Sequence, residues 1–253
     1  MGGRPRRTGP PGVTPGLPPG AGAEAPGRDL ALAASAVAGR FAAGATLWSV
    51  SPRWPAHARH VAVEFVHPVV VGTRALPAVH VDDPDVLGAL RPAARAVDVL
   101  VALSGADDGT VTTLMRYARA WGLLTVWVGA GAARPEPGAA DHVLWSGEGW
   151  DAAVFGGGVV LLYHLLWELA QVCLEHLGPA APGTPAGSPA ACVTCSDEGR
   201  VGEVVAVGPD SRASVRTAAG LEDVDATLIE ARLGGLVLVH AGAAVAVVGE
   251  APA

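Results

Sequence analysis

The sequence predicts an α/β domain built on a doubly wound parallel sheet, followed by a small antiparallel β-barrel. Three observations carry this reading. Between residues 29 and 177, strand-like and helix-like segments alternate at the spacing of βαβ units, which places helices on both faces of a parallel sheet. After residue 191 the period changes to short strands separated by Gly, Pro and Asp, with no helix among them, as in a small barrel. Between the two lies GPAAPGTPAGSPAA, a composition suited to a flexible linker. The expected plan is a disordered tail over 1–28, an α/β domain over 29–177, a linker over 178–191 and a barrel over 192–253.

The tail is rich in Pro, Gly and Ala and holds too few large apolar side chains to offset its ordering entropy. Asp29 is placed to cap a first helix running to about residue 43. A strand follows at 46–50, and Pro55 opens a helix to about 66, because proline is well tolerated in a first helical turn. Strands are expected at 76–81, 99–103, 123–128 and 142–145. Helices are expected at 84–94 (broken), 110–121 and about 152–176. In the tail region, 202–207, 213–217, 222–229 and 236–239 read as short strands.

Composition narrows the function. The chain has 253 residues; half are hydrophobic but only 5% aromatic, so the core is expected to be built from Ala, Val and Leu. A net charge of −7 gives no support to nucleic-acid binding, which needs a basic face. No run of about 18 unbroken apolar residues occurs, so no transmembrane helix and no membrane partner are expected. The basic cluster Arg4, Arg6 and Arg7 is not followed by an apolar stretch, so a secretion signal is not expected. Three cysteines do not form a disulfide framework, and a reducing cytoplasm is the simplest location. Cys173, between Val172 and Leu174, reads as a buried, inert thiol.

Two clusters of residue types carry chemistry. His60 and Glu64 lie four residues apart, one helical turn on one face. On spacing alone they are also an ordinary helix pair, and His164 a hydrogen-bonded core histidine. In the tail, Cys192-Val-Thr-Cys195 precedes the first strand and His240 closes the strand at 236–239. Thiolate and imidazole together suit a soft or borderline transition metal, although a lone CxxC pair is also compatible with two mobile linker thiols.

The stretches HARHVAVEFV (57–66), LPA followed by Asp82-Asp83, and 99–129 resemble, in order and spacing, the sugar-isomerase (SIS) fold, and within it the phosphoheptose isomerases. The resemblance covers roughly 29–177. It implies a zinc site in which His60, Glu64 and His164 are ligands, with the family's glutamine position falling on Gly156. It also implies a phosphosugar pocket, with Ser104 and Thr110 as hydrogen-bond donors. Were the chain an isomerase, Glu64 would serve as base and His164 as acid–base partner. The family's glycine-rich phosphate loop is replaced by Val50-Ser-Pro-Arg-Trp-Pro55, where prolines lack the N–H and Trp54 fills space. The second loop adds Asp107 and Asp108, which would repel a phosphate. Loss of sugar-phosphate isomerase activity is therefore expected.

The tail, from Cys192 to the VLVHAG stretch ending at Gly242, resembles the small hydrogenase-assembly chaperones of the HypC/HupF type, whose domain is an OB-like barrel. That resemblance implies iron, carrying cyanide and carbonyl groups, handled by Cys192, Cys195 and His240. It implies as partners the large-subunit precursor of a nickel–iron hydrogenase and other maturation proteins. Together the two resemblances imply a cytoplasmic hydrogenase-maturation factor with a non-catalytic SIS-like domain, and the alternative is a phosphoheptose isomerase with an accessory barrel. SIS folds commonly pair across their helices, which implies a homodimer.

Overall fold

The computed structural model describes residues 24–68, 73–147, 157–177 and 199–251. Two sheets organise it. The first has five strands, β1 (Leu47–Val50), β2 (Ala78–Val81), β3 (Val99–Leu103), β4 (Leu124–Ala130) and β5 (His142–Ser146). All neighbours are parallel, in the order β2-β1-β3-β4-β5, one of the two common doubly wound arrangements.

The central strands show why the sheet is covered on both sides. Every residue of β3 and β4 is buried, as expected of parallel strands packed on two faces. On one face, Leu47, Val99, Val101, Val126 and Val128 pack beneath α1 (Glu24–Ala42), α2 (Pro55–Val66) and α5 (Gly157–Leu177). On the other, Val50, Leu100, Ala102 and Trp127 pack beneath α3 (Val86–Leu90) and α4 (Gly109–Ala120). The caps are local: Asp85 accepts from Gly88 N at 2.9 Å and Asp108 from Val111 N at 3.1 Å, satisfying amide groups that a first helical turn leaves unpaired.

The second sheet is a closed barrel of β6 (Arg200–Val207), β7 (Arg212–Thr217), β8 (Gly220–Asp225), β9 (Leu236–His240) and β10 (Ala243–Gly249), in the order β10-β8-β7-β6-β9. Its pairs are antiparallel except the closing contact between β10 and β8. Val204, Val215, Val224, Val237, Val239 and Ala244 fill the interior. At Gly202 a Cβ would meet Val215, Thr217 and a backbone oxygen at 2.5–2.8 Å, so only glycine fits where β6 crosses β7.

The barrel is seated against α4 and the segment after α3. Glu203, 1% exposed, accepts from Trp121 Nε1 at 2.7 Å and pairs with Arg91 at 2.7 Å. Arg216 donates to the carbonyls of Arg91 and Ala94, and its guanidinium lies 4.7 Å from the Trp121 ring centroid. Tyr117 donates to Gly234 O and also lies 3.2 Å from Glu250 O. Leu236 joins the α4-side core.

Several expectations are corrected. Helix α1 starts at Glu24, inside the stretch expected to be tail, so Asp29 is not a cap; it lies 3.8 Å from Arg134. The barrel has a fifth strand, β10, which the sequence reading missed. His240-Ala241-Gly242 turns the chain with φ of 48° and 78° at Ala241 and Gly242, the left-handed pair that suits a tight hairpin. Cys173 is half-buried, not buried. Among the described residues, α5 is long and apolar enough to cross a membrane by length and composition, with a mean hydropathy of 1.5 over Gly157–His176. The unbroken-run criterion misses it because Glu168 interrupts it. Here its buried residues Val159, Tyr163, Leu166 and Ala170 pack in the α1-side core. The linker at 178–191 lies outside the described residues.

Candidate metal centre

The His60, Glu64 and His164 side chains meet where α2 crosses α5. Pro55 fixes the start of α2, and the helical turn between His60 and Glu64 sets both on one face. His60 Nε2 lies 3.0 Å from Glu64 Oε1, and His164 Nε2 lies 3.4 Å from the same oxygen. The three potential ligand atoms all lie within 4.8 Å of one another. The glutamate side chain is 13% exposed and the two histidines 45% and 37%, so the cluster opens to solvent through its imidazoles.

Protons decide what this arrangement can hold. His164 Nδ1 sits 2.7 Å from Val160 O. A carbonyl only accepts, so Nδ1 carries the hydrogen and the neutral ring turns its Nε2 lone pair toward Glu64. A lone pair facing a carboxylate at that distance needs a cation between them, either a proton or a metal. A backbone carbonyl fixing the outer nitrogen is also how histidine ligands of metals are oriented. A tetrahedral ion with bonds of about 2.0–2.2 Å keeps its donors roughly 3.3–3.6 Å apart. The two distances to Glu64 Oε1 are close to that, and the donor set of two imidazoles and one carboxylate fits zinc with an open fourth position.

Two further residues belong to the cluster, and the sequence reading did not assign them. Tyr163 OH lies 3.1 Å from His60 Nδ1 and 3.5 Å from His57 Nδ1, and its ring stacks on His164 at 4.9 Å between centroids. Burial and, secondarily, the Glu64 charge push the Tyr163 phenol up to about 12, so it stays protonated at neutral pH, able both to donate and to accept. Burial, then the neighbouring His60, lowers the His57 pKa and favours its neutral ring. The adjacency of Tyr163 to His164 and the three-residue spacing of His57 and His60 were the available signals.

The other assigned residues are dispersed. Ser104 is buried at the end of β3 and donates to Gly105 O at 3.1 Å, while Thr110 is exposed in the first turn of α4. Asp108, expected to repel a phosphate, is engaged as the α4 cap. Ser51 is buried and donates to Leu103 O at 2.8 Å, and the Arg53 guanidinium lies 5.3 Å from the Trp54 ring centroid. His240 ends β9 and is half-buried. Cys192, Cys195 and Gly156 lie outside the described residues.

No protein-family model matches the chain, and neither does a curated protein. Solved structures do. A phosphoheptose isomerase from Francisella tularensis is 14% identical, with a TM-score of 0.50 over 57% of this chain and 86% of that one. A phosphosugar isomerase assigned to capsule formation in Bacteroides fragilis is 11% identical, covering 61% and 81% with a TM-score of 0.46. The sugar isomerase domain of an RpiR transcription factor from Sphaerobacter thermophilus is 18% identical, covering 59% and 85% with a TM-score of 0.41. The match to the Francisella tularensis structure gives the α/β part of this chain the sugar-isomerase fold.

Proposed function

We propose that the chain is a metal-handling maturation factor for a nickel–iron hydrogenase, with its sugar-isomerase fold used as a platform and not for turnover. The observation that carries the loss of turnover is the loop after β1, Ser51-Pro52-Arg53-Trp54-Pro55. Two prolines remove amide donors, Ser51 is committed to Leu103 O, and Arg53 lies against Trp54. Phosphate loops need several aligned backbone N–H groups, and this loop offers few.

The maturation role rests on the tail: Cys192 and Cys195, which precede the small closed barrel in the sequence, His240 at the end of β9, and the resemblance of that stretch to HypC/HupF chaperones. Iron carrying cyanide and carbonyl groups would be cargo, and the hydrogenase large-subunit precursor and other maturation proteins the partners. The protein would act in the cytoplasm, without membrane or nucleic acid, as a homodimer through its α/β helices. His60, Glu64 and His164 would hold zinc, which when bound supplies Lewis-acid polarisation and a joint between α2 and α5.

A second reading, a phosphoheptose-type isomerase, is favoured by one observation, the convergence of those three side chains. Glu64 would then be the base and His164 the acid–base partner, with Ser104 and Thr110 nearest the sugar phosphate. One pair of assays separates the readings. A Cys192→Ala/Cys195→Ala variant should lose iron and fail to support hydrogenase maturation in a host lacking the wild-type chain. Maturation at the wild-type level by that variant would sink the first reading. Efficient conversion of sedoheptulose 7-phosphate by the pure protein would establish the second.

A further inference from the structure

The seam between barrel and α/β domain holds a cavity of about 820 Å³ that neither reading above uses. It lies at the opposite end of the strands from Ser51 and Ser104. Leu123 and Leu124 line it at the start of β4, whereas Ser104 follows the end of β3. Its walls are of two kinds. Leu123, Leu124, Val201 and Leu236 give an apolar surface, and four guanidiniums, Arg40 from α1, Arg116 and Arg119 from α4 and Arg200 from β6, give charge.

The charges do not cancel. Arg119 pairs with Asp141 at 3.3 Å and Arg200 with Glu222. Arg40 instead bonds the carbonyls of Ala96 and Gly122, at 2.6 and 3.2 Å, and Arg116 bonds the carbonyl of Val248 at 2.9 Å. Those partners carry no net charge. Among the described residues, two guanidiniums therefore remain uncompensated beside an apolar surface, in a chain whose net charge is −7. Each is held at one edge by its carbonyl, and a guanidinium has five N–H donors, so both keep donors for a ligand without having to be reoriented.

We propose that this cleft binds a phosphate monoester dianion with a planar or apolar body, of the nucleoside monophosphate class. Two fixed guanidiniums match a dianion in charge, and guanidinium forks match phosphate oxygens in geometry. The volume lies within the roughly 300–1,000 Å³ of small-molecule sites, and the leucine and valine wall accepts the body. Because α1, α4 and β6 all contribute, an occupant joins the barrel to the α/β domain.

The test titrates the full chain with AMP, adenosine and inorganic phosphate by calorimetry, with melting curves in parallel. AMP should bind and raise the melting temperature, with adenosine and phosphate each weaker by about tenfold or more, since each lacks half of the recognition. Arg116→Gln should weaken AMP by about tenfold. Val201→Glu is a second variant that leaves every arginine contact in place and puts a negative charge at the cleft, and it should weaken AMP by at least as much. No AMP binding at about 1 mM, equal affinity for AMP and phosphate, or wild-type affinity in both variants would each overturn the assignment.

Discussion

Glu64 offers one oxygen to two imidazole nitrogens, and the consequence is set by which of them carries a proton. With Val160 O holding the His164 Nδ1 hydrogen, the Glu64 and His164 pair is satisfied only by a cation. Zinc should therefore stabilise the folded chain by mass action, by about 2.7 kcal/mol at a hundredfold excess over its dissociation constant. The measurement is the melting temperature of a Cys192→Ser/Cys195→Ser chain with and without zinc, which removes the tail thiols as competing ligands. His164→Ala should abolish the zinc-dependent rise. A rise that persists in His164→Ala would place the ion elsewhere, and no rise in the parent would leave the three residues as packing. Tyr163, whose hydroxyl oxygen lies 3.1 Å from His60 Nδ1, accepts the Nδ1 hydrogen when Nε2 is ligated and so orients that ring without being a ligand.

At the scale of elements, Asp98 ties the starts of β1 and β3 together. Its carboxylate accepts from Thr46 N, Trp48 Nε1, Arg95 N and the Arg95 guanidinium, at 2.9–3.0 Å. Burial alone would raise its pKa, but the hydrogen bonds from Thr46, Trp48 and Arg95 outweigh it and leave it below the usual carboxylate range. A folded pKa below the unfolded value of about 3.9 gives stability that is present above that value. It is lost as pH falls through the folded pKa. Melting temperatures measured from roughly pH 6 down to pH 2 should fall less steeply for Asp98→Asn than for wild type, from a lower starting value. Parallel curves would show that Asp98 does not drive the acid transition. The elements themselves were largely legible, because Pro55 marks the start of α2 and the all-apolar run of β3 marks a central parallel strand. Strand β10 was not, since Ala243-Ala-Val-Ala-Val-Val has no polar alternation and is half alanine, and its pairing with β9 and β8 is what makes it a strand. The meeting of His60 and Glu64 was readable from helical spacing. The approach of Tyr163 and His57 depends on the crossing of α2 and α5, which no local pattern encodes.

For the whole molecule, the decisive contact was invisible in the sequence: Gly-Glu203-Val-Val reads as an ordinary edge of a β-strand. In the fold Glu203 is buried at the seam, holding Arg91 and the Trp121 indole. Burial of a charge is tolerable only with such partners, and removing one leaves the other desolvated. Arg91 keeps partial access to water, its side chain being 38% exposed, so the loss lies toward the low end for a broken buried pair, about 3 kcal/mol. For a chain of this size that corresponds to a fall in melting temperature of roughly 6–12 °C. Glu203→Ala should show this fall in scanning calorimetry. It should also separate the single transition expected of the wild type into two, because the barrel then keeps only Arg216, Tyr117, the Arg116 bond to Val248 O and the apolar contact of Leu236 against α4 and the segment after α3. Glu203→Gln keeps an acceptor for Trp121 Nε1 but no charge for Arg91, and should fall between the two. If Glu203→Ala melts with the wild type in one transition, the barrel is held by its apolar contacts, Leu236 foremost, and the buried carboxylate contributes no coupling between the two sheets.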